Sequence, residues 1–207
     1  MRKKIILLVG VAILSATYVS AQFTFGVRAG FNLATMYGSD TPKDTKFKPG
    51  IQVGVVGDYA LSNELSIQPG ILFAQQGYQI KEGKAKSRLN LNYIQVPINV
   101  QYKMDLGGPS LVLQAGPYLG YGLNGKAKAW DANGNKIDLP NDQSKVEFGS
   151  GDGKLNAFDF GLGIGAGLQF DNIQVGLGYN AGLLNLQKDV KIKNEGIVFT
   201  VTYLFGK

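Results

Sequence analysis

The 207-residue sequence contains no cysteine and no histidine. Without cysteine, disulfides contribute nothing to its stability, and a lipid-anchored lipoprotein is excluded. Without histidine, the chain lacks the residue that most often serves as a general base. After residue 21 no apolar run reaches the ~20 residues that a transmembrane helix needs. A closed β-barrel is then the remaining way to cross a membrane, because only helices and barrels satisfy every backbone hydrogen bond in lipid.

The first 21 residues are predicted to be a signal peptide. Basic residues 2–4 precede an apolar stretch, and small residues at 19–21 suit cleavage before Gln22. We therefore expect an exported protein in which residues 22–207 form one domain. Subtracting the three basic residues from 21 Lys and Arg leaves 18 against 15 acids, a net charge of +3. This charge is too small to suggest a nucleic-acid partner.

Apolar and polar residues alternate at period two in eight segments, which predicts eight strands. The segments begin near Phe23, Ile51, Leu65, Tyr93, Leu111, Phe158, Ile173 and Ile197. Short connections at 62–64, 105–109 and 171–172 alternate with longer ones at 36–48, 77–90, 124–155 and 186–194. Short periplasmic turns and long outer loops are typical of outer-membrane barrels. The predicted fold is therefore all-β: an eight-stranded antiparallel up-and-down transmembrane β-barrel.

The orientation of the two faces distinguishes a membrane barrel from a soluble lipocalin-like one, whose apolar face points inward. The polar face of the fifth to seventh strands is mostly glycine and glutamine, which would make a poor soluble surface but suits a narrow lumen. Six aromatic residues on the apolar face lie near the short turns, as an interfacial girdle would: Phe23, Tyr59, Tyr102, Phe170, Tyr203 and Phe205. These features favour the membrane barrel.

The inward face is predicted to fill the lumen with side chains. Arg28 and Asp58, on neighbouring strands, are the expected ion pair, either as structural neutralisation or as a gate. Glycines at every second position of DFGLGIGAGLQF form a predicted thin wall, Gly161, Gly163, Gly165 and Gly167, rather than a phosphate-binding loop. Long side chains of the first four strands are expected to pack across the lumen onto this wall. Other lumen residues are expected to be Gln52, Gln68, Gln95, Gln101, Lys103 and Asp159. Pro69, Pro97 and Pro117 each remove a ladder donor, so bulges or unpaired sites are expected there.

Several stretches together resemble a known family: AQFTFGVRAGFNLA, YIQVPINVQYK, LQAGPYLGYGL, FDFGLGIGAGLQF and FTVTYLF. They are similar to the outer-membrane β-barrel family widespread in Bacteroidetes, which includes PorT-type proteins and OmpA- or OmpX-like small porin-family barrels. The resemblance covers essentially all of residues 22–207. It implies an eight-stranded barrel in the outer membrane of a Gram-negative bacterium and says little about activity.

The long connections carry the remaining candidate sites. Asp131, Asn133 and Asn135, with Asp138 and Asp142, allow a calcium loop, but Lys136 stands where an EF-hand needs glycine. A hairpin with a type I′ turn at Asn133-Gly134 is the favoured interpretation, so neither metal nor cofactor is predicted. A basic outer rim is predicted from Lys81, Lys84, Lys86, Arg88, Lys188, Lys191 and Lys193.

The rim residues are either ordinary solvated cations or contacts for lipopolysaccharide phosphates and acidic sugars. Expected partners are therefore outer-membrane lipid and lipopolysaccharide, with a further protein or glycan at the outer loops. Because small outer-membrane enzymes resemble one another in using histidine, no enzyme activity is expected. The function predicted is a structural or surface-interaction barrel with a filled lumen. The alternative is a narrow porin or transport protein, or an accessory barrel of a secretion system.

Overall fold

Eight long strands dominate the structure, a computed structural model that describes residues 22–140, 144–151 and 153–206. The predicted signal peptide lies outside these residues. The strands are β1 (Phe23–Tyr37), β2 (Lys48–Ala60), β3 (Leu65–Glu82), β4 (Ala85–Asp105), β5 (Ser110–Trp130), β6 (Phe158–Phe170), β7 (Ile173–Gly182) and β8 (Lys193–Phe205). Three two-residue strands pair with them: Thr45–Lys46 with β3, and Lys136–Ile137 and Lys145–Val146 with β5.

Each long strand pairs antiparallel with the next along the chain. The first and last strands also pair, from Phe25↔Phe205 to Tyr37↔Lys193, and close the ring. The predicted eight-stranded up-and-down barrel is confirmed. Among the residues that the structure describes, no helix has the length and apolar character to cross a membrane.

The apolar face of every long strand points away from the ring. On β6, Phe160, Leu162 and Ile164 are exposed, Ile164 by 62% of its surface, while Asp159 is buried inside. The same holds on the other strands, where exposed Val53, Ile98 and similar residues alternate with buried polar ones. This is the reverse of a soluble barrel and follows the predicted faces.

Aromatic side chains mark the end of the ring that carries the short turns. Phe23 lies opposite Tyr59, and Phe25 lies opposite Phe205. From Phe170 on this end to Phe158 on the other, β6 rises about 30 Å along the barrel axis, at ~3.3 Å per residue and a tilt of ~40°. That height matches the ~30 Å hydrocarbon core of a bilayer.

The connections at the opposite end differ from the prediction in one important place. The segment predicted as a loop at 77–90 is strand, because β3 and β4 continue in register to a two-residue turn at Gly83 and Lys84. The other long connections are 38–47, 131–157 and 183–192. The expected alternation of short and long connections therefore fails for β3 and β4. The end of the barrel opposite the short turns is called the outer end, and there β3 and β4 form a hairpin that projects beyond the barrel.

The three prolines within strands leave gaps in the ladders without shifting them. Pairing skips residues next to Pro69, Pro97 and Pro117, but the register on either side of each gap is unchanged. Bulges are thus the wrong interpretation at the prolines, and local unpairing is the right one. The register shift lies instead between β4 and β5, where Asn92 faces Asn124 but Tyr93 faces Gly122.

Candidate functional site

The lumen near the short turns is crossed by a network of polar side chains. Arg28 on β1 donates from Nε to Thr202 Oγ1 at 2.8 Å and from Nη2 to Gln68 Oε1. Gln68 in turn donates to Gln174 Oε1 at 3.2 Å. Because β3 and β7 stand four strands apart on an eight-stranded ring, the Gln68–Gln174 bond spans the bore. The lumen is therefore closed at this level by direct hydrogen bonds.

Gln101 on β4 ties the same layer to two further strands. Its Nε2 donates to Gln68 Oε1 at 2.9 Å and to Gln114 Oε1 at 3.2 Å. Gln174 donates to Gln101 at 3.4 Å and to Gln169 at 2.9 Å. Gln101 is completely buried, so these hydrogen bonds take the place of the ones that its amide would form with water. The layer joins five glutamines from five strands.

The predicted ion pair between Arg28 and Asp58 is corrected by the structure. Asp58 Oδ2 accepts from Lys103 Nζ at 2.6 Å, and the hydrogen bonds of Arg28 go to Thr202 and Gln68 instead. Lys103 projects from β4 past β3 to reach Asp58, a contact that counting along neighbouring strands does not reveal. Arg28 and Asp58 thus share the same buried layer but use different direct partners.

The glycine wall contacts different side chains from those expected. The sequence predicted that side chains of β1–β4 would pack across onto Gly161, Gly163, Gly165 and Gly167. A methyl group at Gly163 would instead meet Asn180 Oδ1 at 2.5 Å, and one at Gly165 would meet Leu177 O at 2.9 Å and Gln114 Nε2 at 3.0 Å. Gly161 is covered by the ring of Tyr118. The neighbours come from the flanking strands β5 and β7.

Above the glutamine layer the lumen holds a small cavity. Gln52 donates to Gln95 at 3.4 Å beside it, and other polar residues of its lining include Arg28, Asn99 and Asn180. Its volume is about 40 Å³, room for about three water molecules. A second void of about 20 Å³ lies beside Gln101, Gln174 and Thr202. Side chains thus fill the described part of the lumen apart from such small voids, and Gln114, Gln174 and Asn180 contribute although they were not among the predicted lumen residues.

A second polar cluster surrounds Asp159 in the outer half of the lumen. Its Oδ2 accepts from Asn194 Nδ2 at 2.9 Å and from the Tyr118 hydroxyl at 3.3 Å. Asn194 also donates to the Tyr93 hydroxyl at 3.5 Å. Asp159 was predicted to face the lumen, but its partners were not.

An apolar cap closes the outer mouth of the lumen. Its buried members are Met36, Leu91, Tyr93 and Leu186. Val146, Phe148 and Leu155 from connection 131–157 pack against them, with the Phe148 and Tyr93 rings in edge contact at 5.3 Å. The connections therefore fold inward over the barrel. Sequence reasoning missed this cap, because residues in irregular connections have no period that indicates their direction.

The predicted basic rim divides into two groups on opposite sides of the ring. Lys81, Lys84, Lys86 and Arg88 belong to the projecting hairpin of β3 and β4. Lys188 and Lys191 lie in the connection between β7 and β8, and Lys193 begins β8, where its ammonium sits 5.9 Å from the Tyr37 ring. Arg88 donates to Gln79 Oε1 at 3.1 Å.

The tip of connection 131–157 forms a hairpin, as predicted, with a different turn. Trp130 faces Lys136, and Asp131 N donates to Asn135 O at 2.9 Å. Gly134 has φ +90°, whereas Asn133 does not have the positive φ that a type I′ turn requires. Asp131 Oδ1 accepts from the backbone N–H groups of Asn133 and Asn135, both at 2.8 Å. The Asn135 bond leads the causes that lower the pKa of Asp131.

The Asp131 carboxylate therefore accepts hydrogen bonds that stabilise the turn itself. Across residues 22–140, 144–151 and 153–206, no group of three or more acidic side chains is arranged to hold a metal ion. Asp142, part of the calcium alternative, lies outside the described residues.

Solved structures with a similar arrangement include outer-membrane proteins from several sources. Ail of Yersinia pestis, in complex with the heparin analogue sucrose octasulfate, is 17% identical with a TM-score of 0.45, covering 89% of this chain and 99% of its own. Neisserial surface protein A is 16% identical with a TM-score of 0.45, covering 86% and 96%. The outer membrane enzyme PagL is 12% identical with a TM-score of 0.40, covering 84% and 97%.

Sequence comparison with curated proteins finds no match. The profile of one protein family, the outer membrane protein β-barrel domain, matches residues 16–188. The match takes in seven of the eight strands and their connections. This chain therefore belongs to the outer membrane protein β-barrel domain family.

Proposed function

We propose that this protein is a non-enzymatic, integral barrel of the outer membrane of a Gram-negative bacterium, with a structural or surface-interaction role. The observation that carries the proposal is the closed lumen: the Gln68–Gln174 bond crosses it at one level, and the apolar cap around Leu186 covers it at another. A closed barrel offers its outer surface, and not its bore, for interaction. The signal-peptide pattern of residues 1–21 supports export, and the strand motifs support a Bacteroidetes, PorT-like origin.

The absence of histidine from the sequence supports the non-enzymatic part of the proposal. Asp159 is a buried carboxylate in the outer half of the lumen, and its Oδ2 accepts hydrogen bonds from Asn194 and Tyr118. Its side chain is 1% exposed, so a substrate has no path to it in this conformation. The hydrogen bonds of this carboxylate are to the barrel's own side chains, as is usual for a buried polar group.

Conductance measurements test the closed lumen directly. Folded protein inserted into a planar bilayer is expected to give no steady channel current. A positive control removes both closures together by Gln68→Ala, Gln101→Ala and Gln174→Ala in the glutamine layer, with Phe148→Ala and Leu186→Ala in the cap. Current from the control alone supports the proposal. Steady current from the wild-type protein would favour the narrow pore or transport function instead.

The partners proposed are outer-membrane lipid and lipopolysaccharide, with a protein or glycan at the outer connections. Exposed cations at the outer end support the lipid and lipopolysaccharide partners, because charge-assisted hydrogen bonds to phosphate are among the stronger polar contacts. The protein or glycan partner is tested by pull-down from outer membranes. The full chain is compared with a variant in which connection 131–157 is replaced by a short turn. Equal recovery of every partner by both proteins would exclude this connection as the binding segment.

A further inference from the structure

Three strands extend beyond the barrel at its outer end and form a small sheet. β3 and β4 pair in register up to Glu82↔Ala85, and the outer end of β5 pairs with β4 up to Lys86↔Trp130. One side of this sheet faces the apolar cap, where Tyr78 and Leu89 pack. The other side continues the lipid-facing surface of the barrel. The extension is therefore amphipathic.

The side that continues the lipid-facing surface carries five cations, which we call the basic face: Lys81, Lys86, Arg88, Lys126 and Lys128. The register places them in adjacent rungs: Lys81, Lys86 and Trp130 in one, Gln79, Arg88 and Lys128 in the next, and Gly77, Asn90 and Lys126 in the third. Across β3, β4 and β5 these three rungs contain no acidic residue. Beyond β5, Lys136 lies opposite Trp130 and Lys145 opposite Lys126, and these two lysines form ion pairs with Asp138 and Glu147. Two of the cations, Lys126 and Lys128, were not among the predicted rim residues.

The register shift between β4 and β5 creates this arrangement. Tyr93 faces Gly122 inside the barrel, and Asn92 faces Asn124 outside it, so Leu123 is the additional residue on β5. An added residue moves all following side chains to the opposite face. Without it, Lys126, Lys128 and Trp130 would share the face of Tyr118 and point inward.

The basic face lies directly above the apolar band. Ile98, Leu119 and Tyr121 are exposed on the same face below it. Between the two regions, Asn92 donates to Asn124 Oδ1 at 2.8 Å. Lys126 stands four rungs beyond Tyr121, because Leu123 adds none, and is about 10 Å further from the membrane centre at the rise and tilt used above. The cations therefore lie at and above the headgroup level of the surrounding leaflet.

The cations are held close to one another although they repel. Lys81 is opposite Lys86, and Arg88 is opposite Lys128, positions at which like charges destabilise a sheet. Partial burial, followed by the charges of Arg88 and Lys81, lowers the pKa of Lys86. Trp130 lies beneath two of them, 4.9 Å from Lys86 Nζ and 5.8 Å from Arg88 Cζ. Bound anions would relieve this repulsion.

We propose that the basic face binds the phosphate groups of lipopolysaccharide in the surrounding leaflet, with Arg88, Lys86 and Lys128 as the phosphate contacts. Arg88 Nη2 donates a hydrogen bond to Gln79 Oε1, and this bond orients the guanidinium for phosphate binding. This inference rests on the proposed outer-membrane location and assigns the lipid partner to one side of the barrel.

Fluorescence of Trp130, the only tryptophan of the chain, reports binding. The folded protein in neutral-lipid nanodiscs is titrated with phosphorylated lipid A, with lipid A stripped of its phosphates, and with inorganic phosphate. The test variant carries Lys86→Gln, Arg88→Gln and Lys128→Gln. The matched control carries Lys188→Gln, Lys191→Gln and Lys193→Gln, which remove the same charge on the opposite side of the ring.

We expect the test variant to bind phosphorylated lipid A at least about tenfold more weakly than wild type, because three charge-assisted contacts are lost. The control is expected to stay within about twofold, and dephosphorylated lipid A to bind weakly to all three proteins. Equal affinities of the two variants, or saturation by inorganic phosphate at the same concentration as lipid A, would overturn the proposal. Failure of wild-type protein to insert into nanodiscs would instead contradict the outer-membrane function itself.

Discussion

Lys103 on β4 reaches past the intervening strand β3 and forms an ion pair with Asp58 on β2, with 2.6 Å between Nζ and Oδ2. Asp58 is 2% exposed and Lys103 is 12% exposed. The pair thus lies inside the barrel wall, near the short-turn end. Its two residues lie on strands that do not share a ladder, so the ion pair links β2 to β4 across β3.

Removal of Asp58 tests this pairing. We expect Asp58→Ala to lower the free energy of unfolding by about 3–5 kcal/mol, because the charge of Lys103 remains in the lumen without its carboxylate. The double variant with Lys103→Met is expected to recover most of the loss. Urea unfolding in lipid vesicles measures both. The pairing is wrong if Asp58→Ala unfolds like wild type, or if Arg28→Met restores stability as well as Lys103→Met does.

The glycines of β6 and β7 differ in how much space they have. Gly167 and Gly176 face each other across the ladder. A methyl group at Gly167 would collide with the carbonyl oxygen of Val175 and lie 2.9 Å from Gly176 Cα, whereas at Gly176 its nearest neighbour is Thr200 Oγ1 at 3.2 Å. We expect Gly167→Ala to cost about 1–3 kcal/mol and Gly176→Ala clearly less. Equal folded fractions of the two variants, measured by heat-modifiable gel mobility, would contradict this.

The apolar cap is expected to depend on Leu186. Leu186→Ala should destabilise the outer connections by about 2–5 kcal/mol, as for other buried leucines, because it removes the centre of the cluster. Leu184→Ala, two residues away and exposed, is the matched control. Limited proteolysis of folded protein measures the effect as faster cleavage within connection 131–157. Similar cleavage of both variants would show that the cap is not held by Leu186.

The hairpin tip at Asp131 is expected to respond to acid. Because backbone N–H groups lower the pKa of this carboxyl below 3.8, its contribution is present above the unfolded pKa and is lost as pH falls through the lower folded value. The carboxyl carbon resonance of Asp131 should therefore titrate below 3.8. Asp131→Ala should speed amide exchange at Asn133 and Asn135, while Asp131→Asn, which keeps the acceptor, should not. A midpoint above 3.8 would refute the assignment.

The inside and outside of the barrel could be predicted from the sequence because the strand period is two. Ile98 and Val100 had to face away from Gln95 and Gln101 once these residues were in a strand, whatever their partners. The predicted lumen residues of the strands are accordingly buried or half-buried, and the basic residues of β3 and β4 lie at the outer end. Burial of each side chain is a local consequence of its position in the pattern.

The contacts within the lumen could not be predicted in the same way. Gln68 and Gln174 are 106 residues apart, and whether they meet depends on the tilt and stagger of every strand between them. The same applies to Asp58, for which the sequence indicated a neighbouring strand and the structure supplies Lys103 instead. Glutamines 114 and 174 have the inward period, but nothing in the sequence shows that they join one network.

The sequence by itself determined that this chain alternates eight times, closes into a barrel and presents its apolar side outward, because alternation and connection length act over short distances. Only the tertiary structure decided that β3 and β4 project beyond the barrel, that Leu186 and Phe148 cap it, and that Leu123 shifts Lys126, Lys128 and Trp130 to the outer face. These features depend on which strands pair at which register, and register is a property of the closed ring as a whole.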